Sequence, residues 1–199
     1  MRTALEHDAP PAVPDPHDAA LEERAFRSRT VLLFGTIDER AARDVVQRLM
    51  ALDHESSEPI TMMVSSPGGH VESGDAIHNA VRFVASPVTM MGNGWVGSAA
   101  TQVFLAAPAE RRLCLPHTRF LIHQPSGGIG GRGTDIAIQA REILRIRERV
   151  ARVIARETGQ PLERVLADIE RDHWLSAEEA VGYGLVSRVV ERSRELTAA

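Results

Sequence analysis

The 199-residue chain carries 43% hydrophobic and 25% charged residues, an ordinary balance for one globular domain with a full core. A formal net charge of −4 leaves no basic footprint for nucleic acid, and all 23 basic residues are Arg. The one cysteine, Cys114, excludes an intrachain disulfide and a cysteine-based zinc site. The first residues lack the apolar run of a secretory signal, and no stretch approaches a membrane span, so a cytoplasmic protein without membrane or nucleic-acid partners is expected.

Residues 1–29 read as a flexible N-terminal tail, with Pro10, Pro11, Pro14 and Pro16 among Asp, Ala and His. Order is expected from Thr30, where Val31 to Phe34 is a buried strand ended by Gly35. Ile37 to Leu52 has helical spacing, with Asp38 near its start. Ile60 to Val64 predicts a second strand, halted by Ser65-Ser-Pro-Gly-Gly69, and Gly74 to Val84 a helix. Val88 to Met91 is a third strand, broken by Gly92-Asn-Gly94, and Ser98 to Ala107 suits a helix buried on all sides. Arg119 to Ile122 is a further strand. This strand–loop–helix recurrence defines an α/β fold.

Thr134 to Thr158 gives the longest helical pattern, with Thr134 as its cap and Gly159 at its C-terminal end. It would span roughly 36 Å and carries a stripe of Ile136, Ala140, Ile143, Val150 and Ile154. That is longer than this domain needs, so the helix is expected to project and bury its stripe on another subunit. A short helix from Pro161 to Ile169 follows, then one opened by the capping box Ser176-Ala-Glu-Glu179 and stopped near Gly184. A strand from Leu185 to Val190 and a polar tail, 192–199, complete the chain.

Few residues here can carry chemistry. Ser98 follows Gly94-Trp-Val-Gly97 and opens an Ala-rich helix, where free N–H groups and the positive dipole end favour an oxyanion. On local sequence alone, an N-cap serine is the commoner meaning of that position. His123 ends a strand before a Gly-rich loop, an address that suits a base or a hydrogen-bonded structural histidine. Asp172, taken alone, reads as a surface or capping carboxylate. Pro67-Gly-Gly69 offers a backbone N–H, or only a turn.

Together these segments resemble the ClpP family, the proteolytic subunits of the Clp protease. The resemblance rests on Ser66-Pro-Gly-Gly69, Gly94-x-x-x-Ser98, Leu115-Pro116 through Ile122-His-Gln-Pro125, Thr134-Asp-Ile136 with Glu142-Ile-Leu144, and Arg171-Asp172 with Ala180-x-x-Tyr-Gly-Leu185. These run in family order over about residues 30–190, and as a set are far more specific than a lone Gly-x-Ser motif. The resemblance implies a ClpP/crotonase-like fold of repeated strand-strand-helix units, with the long helix as a projecting handle and 30–191 as the peptidase domain. It implies a catalytic triad of Ser98, His123 and Asp172, an oxyanion hole from the N–H groups of Gly69 and Ala99, and a substrate edge at Gly127 and Gly128. It further implies heptameric rings stacked as a tetradecamer, an AAA+ unfoldase partner, polypeptide substrates, and no metal or cofactor in this chain.

Several positions depart from the family pattern. Ala-Ala-Ser-Met-Gly around the serine is Val96-Gly-Ser-Ala-Ala100, so Ala99 reshapes the specificity pocket. Ser65 replaces an Asn, and Arg132 replaces a Gln near the ring-registering Arg171. Thr61, Met63 and Leu113 stand at unfoldase-docking positions where aromatics are usual, with Phe83 retained. These changes resemble a divergent second paralogue, which leaves two further readings: a structural or conditionally active ring subunit needing a paralogue or partner, and an acyl-CoA-binding crotonase relative, whose chemistry needs no such triad.

Overall fold

Val31, Leu33 and Ile37 on one segment and Ile60, Met62 and Val64 on the next are each 0–1% exposed. Their period-2 alternation turns one face of each strand onto the core. The computed structural model describes residues 16–128 and 130–196. After helix α1 (Pro16–Arg27), strands β1 (Thr30–Ile37), β2 (Ile60–Gly69) and β3 (Val88–Gly97) each feed a helix: α2 (Glu39–Glu55), α3 (Val71–Phe83) and α4 (Ala99–Phe104). Short strands β4 (Arg112–Cys114) and β5 (Arg119–Ile122) follow. Next come α5 (Gly133–Thr158), α6 (Leu162–Asp168), β6 (His173–Leu175), α7 (Ala177–Tyr183) and β7 (Arg188–Val189). The result is the α/β fold that the sequence leads one to expect.

The seven strands form one sheet in the order β1-β2-β3-β4-β7, with β5 branching from β3 and β6 pairing with β5. All pairings are parallel except β5–β6. The branch arises within β3: Met90 to Gly92 pair with β4, whereas Trp95 to Gly97 pair with β5. On α2, Asp38 caps the first turn by accepting from the Ala41 N–H at 2.7 Å. Ala42, Val45, Leu49 and Leu52 form its buried stripe. Burial of a leucine of this kind stabilises the fold by about 1.5–3 kcal/mol.

Several expectations need correction. Within the stretch expected to be a flexible tail, α1 forms, Phe26 packs on the core, and the Arg29 guanidinium donates to the carbonyls of Leu52, Ser56, Glu58 and Pro59; residues 1–15 lie outside the described residues. Ser65 to Gly69 continues β2 instead of ending it, since pairing with β1 and β3 resumes after a register shift. β3 likewise runs through Gly92-Asn-Gly94. The C-terminal strand is shorter than expected, at two residues. Within the expected C-terminal tail, Ser193–Leu196 makes a turn held by Arg188 donating to the Glu195 carbonyl; residues 197–199 lie outside the described residues.

Helix α5 is capped by Arg132 rather than Thr134, with no side-chain cap bond. Its first turn is held instead by the Ile136 N–H on the Arg132 carbonyl, with Asp135 favouring the positive dipole end. Gly159 does terminate it, at φ 75°. The helix divides in two along its length: Val150, Ala151 and Ile154 are buried in the domain's own core, while Ile136, Ile138 and Leu144 nearer its start are 40–62% exposed.

Candidate active site

β3 ends in Gly97, and the chain turns into α4 through Ser98, which adopts φ 54° and ψ −123°. A non-glycine residue held there costs on the order of 1–3 kcal/mol, so surrounding bonds must impose it. The Ser98 N–H donates to the Leu121 carbonyl at 2.9 Å. Buried Thr101 shares its hydroxyl proton between the carbonyls of Val96 and Leu121. These bonds clamp the turn to the end of β5.

Gly68 supports the turn from the other side, at φ +94°. A Cβ there would lie 2.6 Å from the Gly97 carbonyl oxygen and 2.8 Å from the Ala99 nitrogen. Only glycine lets the end of β2 come this close to the serine turn.

Ser98 occupies the N-cap position of α4 but makes no cap bond with its side chain. Its Oγ lies 2.8 Å from His123 Nε2. His123 Nδ1 lies 2.9 Å from Asp172 Oδ1. A carboxylate only accepts, so Nδ1 carries the proton and Nε2 is left to accept from the serine hydroxyl. The three predicted residues, distant in sequence, therefore form one hydrogen-bonded chain.

The β5–β6 pairing creates this chain. His123 follows β5, and Asp172 precedes β6, whose antiparallel rungs include Ile122 opposite His173. Gln124, given no role of its own in the sequence, straps the two loops: its N–H donates to the Ile169 carbonyl at 2.7 Å and its amide to the Glu170 carbonyl at 3.0 Å. Thr101 was missed too, although a hydroxyl inside an Ala-rich buried helix is a readable signal of a satisfied polar contact.

Beside Ser98 and His123 lies a cleft walled by Val71, Ile122, Val150 and Ile154, which Ala99, Asp75 and Gln102 also line. Backbone at Gly127 and Gly128 is exposed and belongs to no strand. Among the described residues no helix is long and apolar enough to cross a membrane.

A strained serine at a strand–helix turn, with a histidine and an aspartate in series behind it, defines the class of α/β serine hydrolase-type sites. The match to known proteins is more specific. The Clp protease family model covers residues 16–193, and the chain belongs to that family. It is 54% identical to the ATP-dependent Clp protease proteolytic subunit 2 of Gluconobacter oxydans, over 88% of this chain and 80% of that one. Its identity to the subunit 2 of Pseudomonas aeruginosa is 52%, over 90% and 89% of the two chains. Among solved structures, ClpP1 from Listeria monocytogenes superposes with a TM-score of 0.81 at 42% identity, over 89% of this chain and 99% of that one. Family and relatives support a ClpP-type serine peptidase.

Proposed function

We propose that this chain is the serine endopeptidase subunit of a ring-forming, self-compartmentalised protease, with Ser98 as nucleophile, His123 as base and Asp172 as the residue that orients the base. The hydrogen-bonded chain from Ser98 Oγ through His123 to Asp172 carries this reading. As Oγ attacks the peptide carbonyl carbon, Nε2 takes its proton, and Asp172 steadies the resulting imidazolium. The N–H groups of Gly69 and Ala99 receive the oxyanion. Collapse breaks the C–N bond, and His123 returns the proton to the leaving amine. Water, activated by the same histidine, then hydrolyses the acyl-serine.

The exposed Gly127–Gly128 backbone suits an extended substrate that adds as a strand. Family membership and the exposed apolar residues of α5 support heptameric rings stacked as a tetradecamer, fed by an AAA+ unfoldase, with short peptides cut unaided. No step in this chemistry calls for a metal or cofactor.

A fluorophosphonate probe tests the reading. It should label wild-type protein at Ser98 and fail on Ser98→Ala, whose peptidase activity should fall to background. A wild-type protein that neither labels nor cleaves peptides would defeat the assignment.

A further inference from the structure

Strands β3, β5 and β6, which adjoin Ser98, His123 and Asp172, hold an aromatic cluster on the sheet face turned away from the core. Gly97 stands opposite Leu121, and Leu121 opposite Trp174. Side chains opposite one another share a face, and Trp95, two residues before Gly97, shares it too. Val96 and Phe120, on the other face, are 0% exposed. The Trp95 and Trp174 rings lie with centroids 5.6 Å apart, tilted by 41°. The Arg119 guanidinium sits 4.8 Å from the Trp174 ring centroid, where the ring face attracts a cation.

Each member of the cluster is close in sequence to one member of the triad. Trp95 is three residues before Ser98, Leu121 two before His123, and Trp174 two after Asp172. The Trp95 indole also folds forward along its own strand. A Cβ built on Gly97 would lie 2.7 Å from Trp95 Nε1 and 3.1 Å from the Pro67 carbonyl oxygen. Gly97 is not among the positive-φ glycines, so its backbone would accept an L-residue, and what excludes a side chain there is the indole and the Pro67 carbonyl. Pro67 leads directly into Gly68, the glycine packed on the serine turn. The indole edge, the end of β2 and the residue before Ser98 therefore meet at one point. Both tryptophans remain about 40% exposed, so what the pair adds beyond core burial is a rigid link between strands.

We infer that Trp95 and Trp174 form a staple that holds the triad in line, an inference that rests on the serine peptidase reading above. Both are positioning residues, since neither belongs to the hydrogen-bonded chain and each acts through the backbone. Trp95 sets the direction in which the chain enters the Ser98 turn. Trp174 sets the start of β6, and with it Asp172. The contact between the rings locks one strand against the other across β5, which leads to His123. A misplacement of about 1 Å can cost roughly 10²-fold in rate, so a link of this kind affects turnover more than it affects stability.

The test follows the rate of fluorophosphonate labelling at Ser98, with kcat and KM on a short peptide, in the full-length purified protein. Trp174→Leu should slow labelling and lower kcat by about ten- to a hundredfold. KM should stay nearly unchanged, every chain should be labelled in the end, and Trp174→Phe should keep most of the wild-type rate. Gly97→Ala should slow labelling to a similar degree, because its methyl displaces the indole. Adding Trp95→Gln vacates that space for the methyl, so the double variant should label faster than Gly97→Ala alone. Residues that served stability alone would show losses that add. Trp174→Leu labelling at the wild-type rate, or a double variant no faster than Gly97→Ala, would overturn the inference while leaving the peptidase reading in place. So would a slow variant whose mass by native mass spectrometry falls below that of wild type, since the pair would then belong to a contact between subunits. Wild-type protein that neither labels nor cleaves peptides would defeat the peptidase reading and this inference with it.

Discussion

His123 and Asp172 face each other one step beyond the Ile122–His173 rung of the antiparallel β5–β6 ladder, with Nδ1 and Oδ1 2.9 Å apart. The pairing of two short strands thus sets the geometry of imidazole and carboxylate. The Asp172 side chain is 64% exposed, so solvent weakens its charge interaction with the histidine, and its main service is to fix the tautomer. Asp172→Asn can donate to Nδ1 and turn Nε2 into the protonated nitrogen. Turnover should then fall by about 10³–10⁴, with the fold intact, as measured by peptide kcat and by the rate of fluorophosphonate labelling. Undiminished labelling would show that another group orients His123.

Gly68→Ala should damage both stability and activity. The new methyl would lie under 3 Å from the Gly97 carbonyl, the Ala99 nitrogen and the Ser98 Cβ, at a φ that L-residues rarely adopt. A loss of about 1–3 kcal/mol is expected from the backbone strain alone, readable in thermal unfolding. Probe labelling should fall further than the stability loss explains, because the same methyl pushes on the serine turn. A variant that matches wild type in Tm and labelling would refute the close approach of β2.

The sequence made the long elements legible and hid the short connections that build the site. Apolar periodicity suffices for α2 and for the first halves of β2 and β3, because those positions alternate between core and surface. It fails from Ser65 to Gly69 and from Gly92 to Gly94, where turn-forming residues stay in the ladder through register shifts. β4 and β6, of three residues each, are too short to show any period. Ser98 read locally as a cap because the sequence cannot display the end of β5. Once His123 stands 2.8 Å away, the hydroxyl leaves the cap bond unmade. Asp172 had no local signal, and only its place among the family motifs singled it out.

Cys114 should be inert in the native protein. Burial, with the Glu178 charge as a smaller contribution, pushes its thiol up to about 11, and the side chain is fully buried. Thiolate is the reactive species, so at pH 8 only about one thiol in a thousand is competent. A disulfide reagent such as DTNB should titrate no thiol in folded protein and one in denaturant. Fast native reaction would mean that β4 opens readily.

Asp53 should make part of the stability acid-sensitive. Its carboxylate accepts from the Ser86 N–H at 2.7 Å, and hydrogen bonds from Ser86 hold its pKa below the ordinary carboxylate range. A carboxyl with a lowered folded pKa contributes stability that is fully present above the unfolded value and is lost as pH falls through the folded one. The Tm difference between wild type and Asp53→Asn should therefore be constant above about pH 5 and close below about pH 4. A gap that widens on acidification would contradict the depressed pKa.

The division of α5 into a buried and an exposed half makes the assembly reading testable in one helix. Val150 is 8% exposed and packs in its own domain, so a charge there should unfold the subunit before it disturbs any contact between subunits. Leu144, on the same helix, is 62% exposed and contributes little to the isolated fold. If the amino-terminal half of α5 joins two rings, Leu144→Glu should leave unfolding of the subunit nearly unchanged while halving the mass seen by native mass spectrometry. Each glutamate would put a charge into an apolar contact at every copy of the interface, and burying an unpaired charge outweighs the modest gain of a single leucine. Val150→Glu should instead lower Tm by a core-sized amount, on the order of 3 kcal/mol or more in stability. An unchanged oligomer in Leu144→Glu, beside a destabilised Val150→Glu, would mean that α5 serves the domain's own core and that the rings meet through another surface.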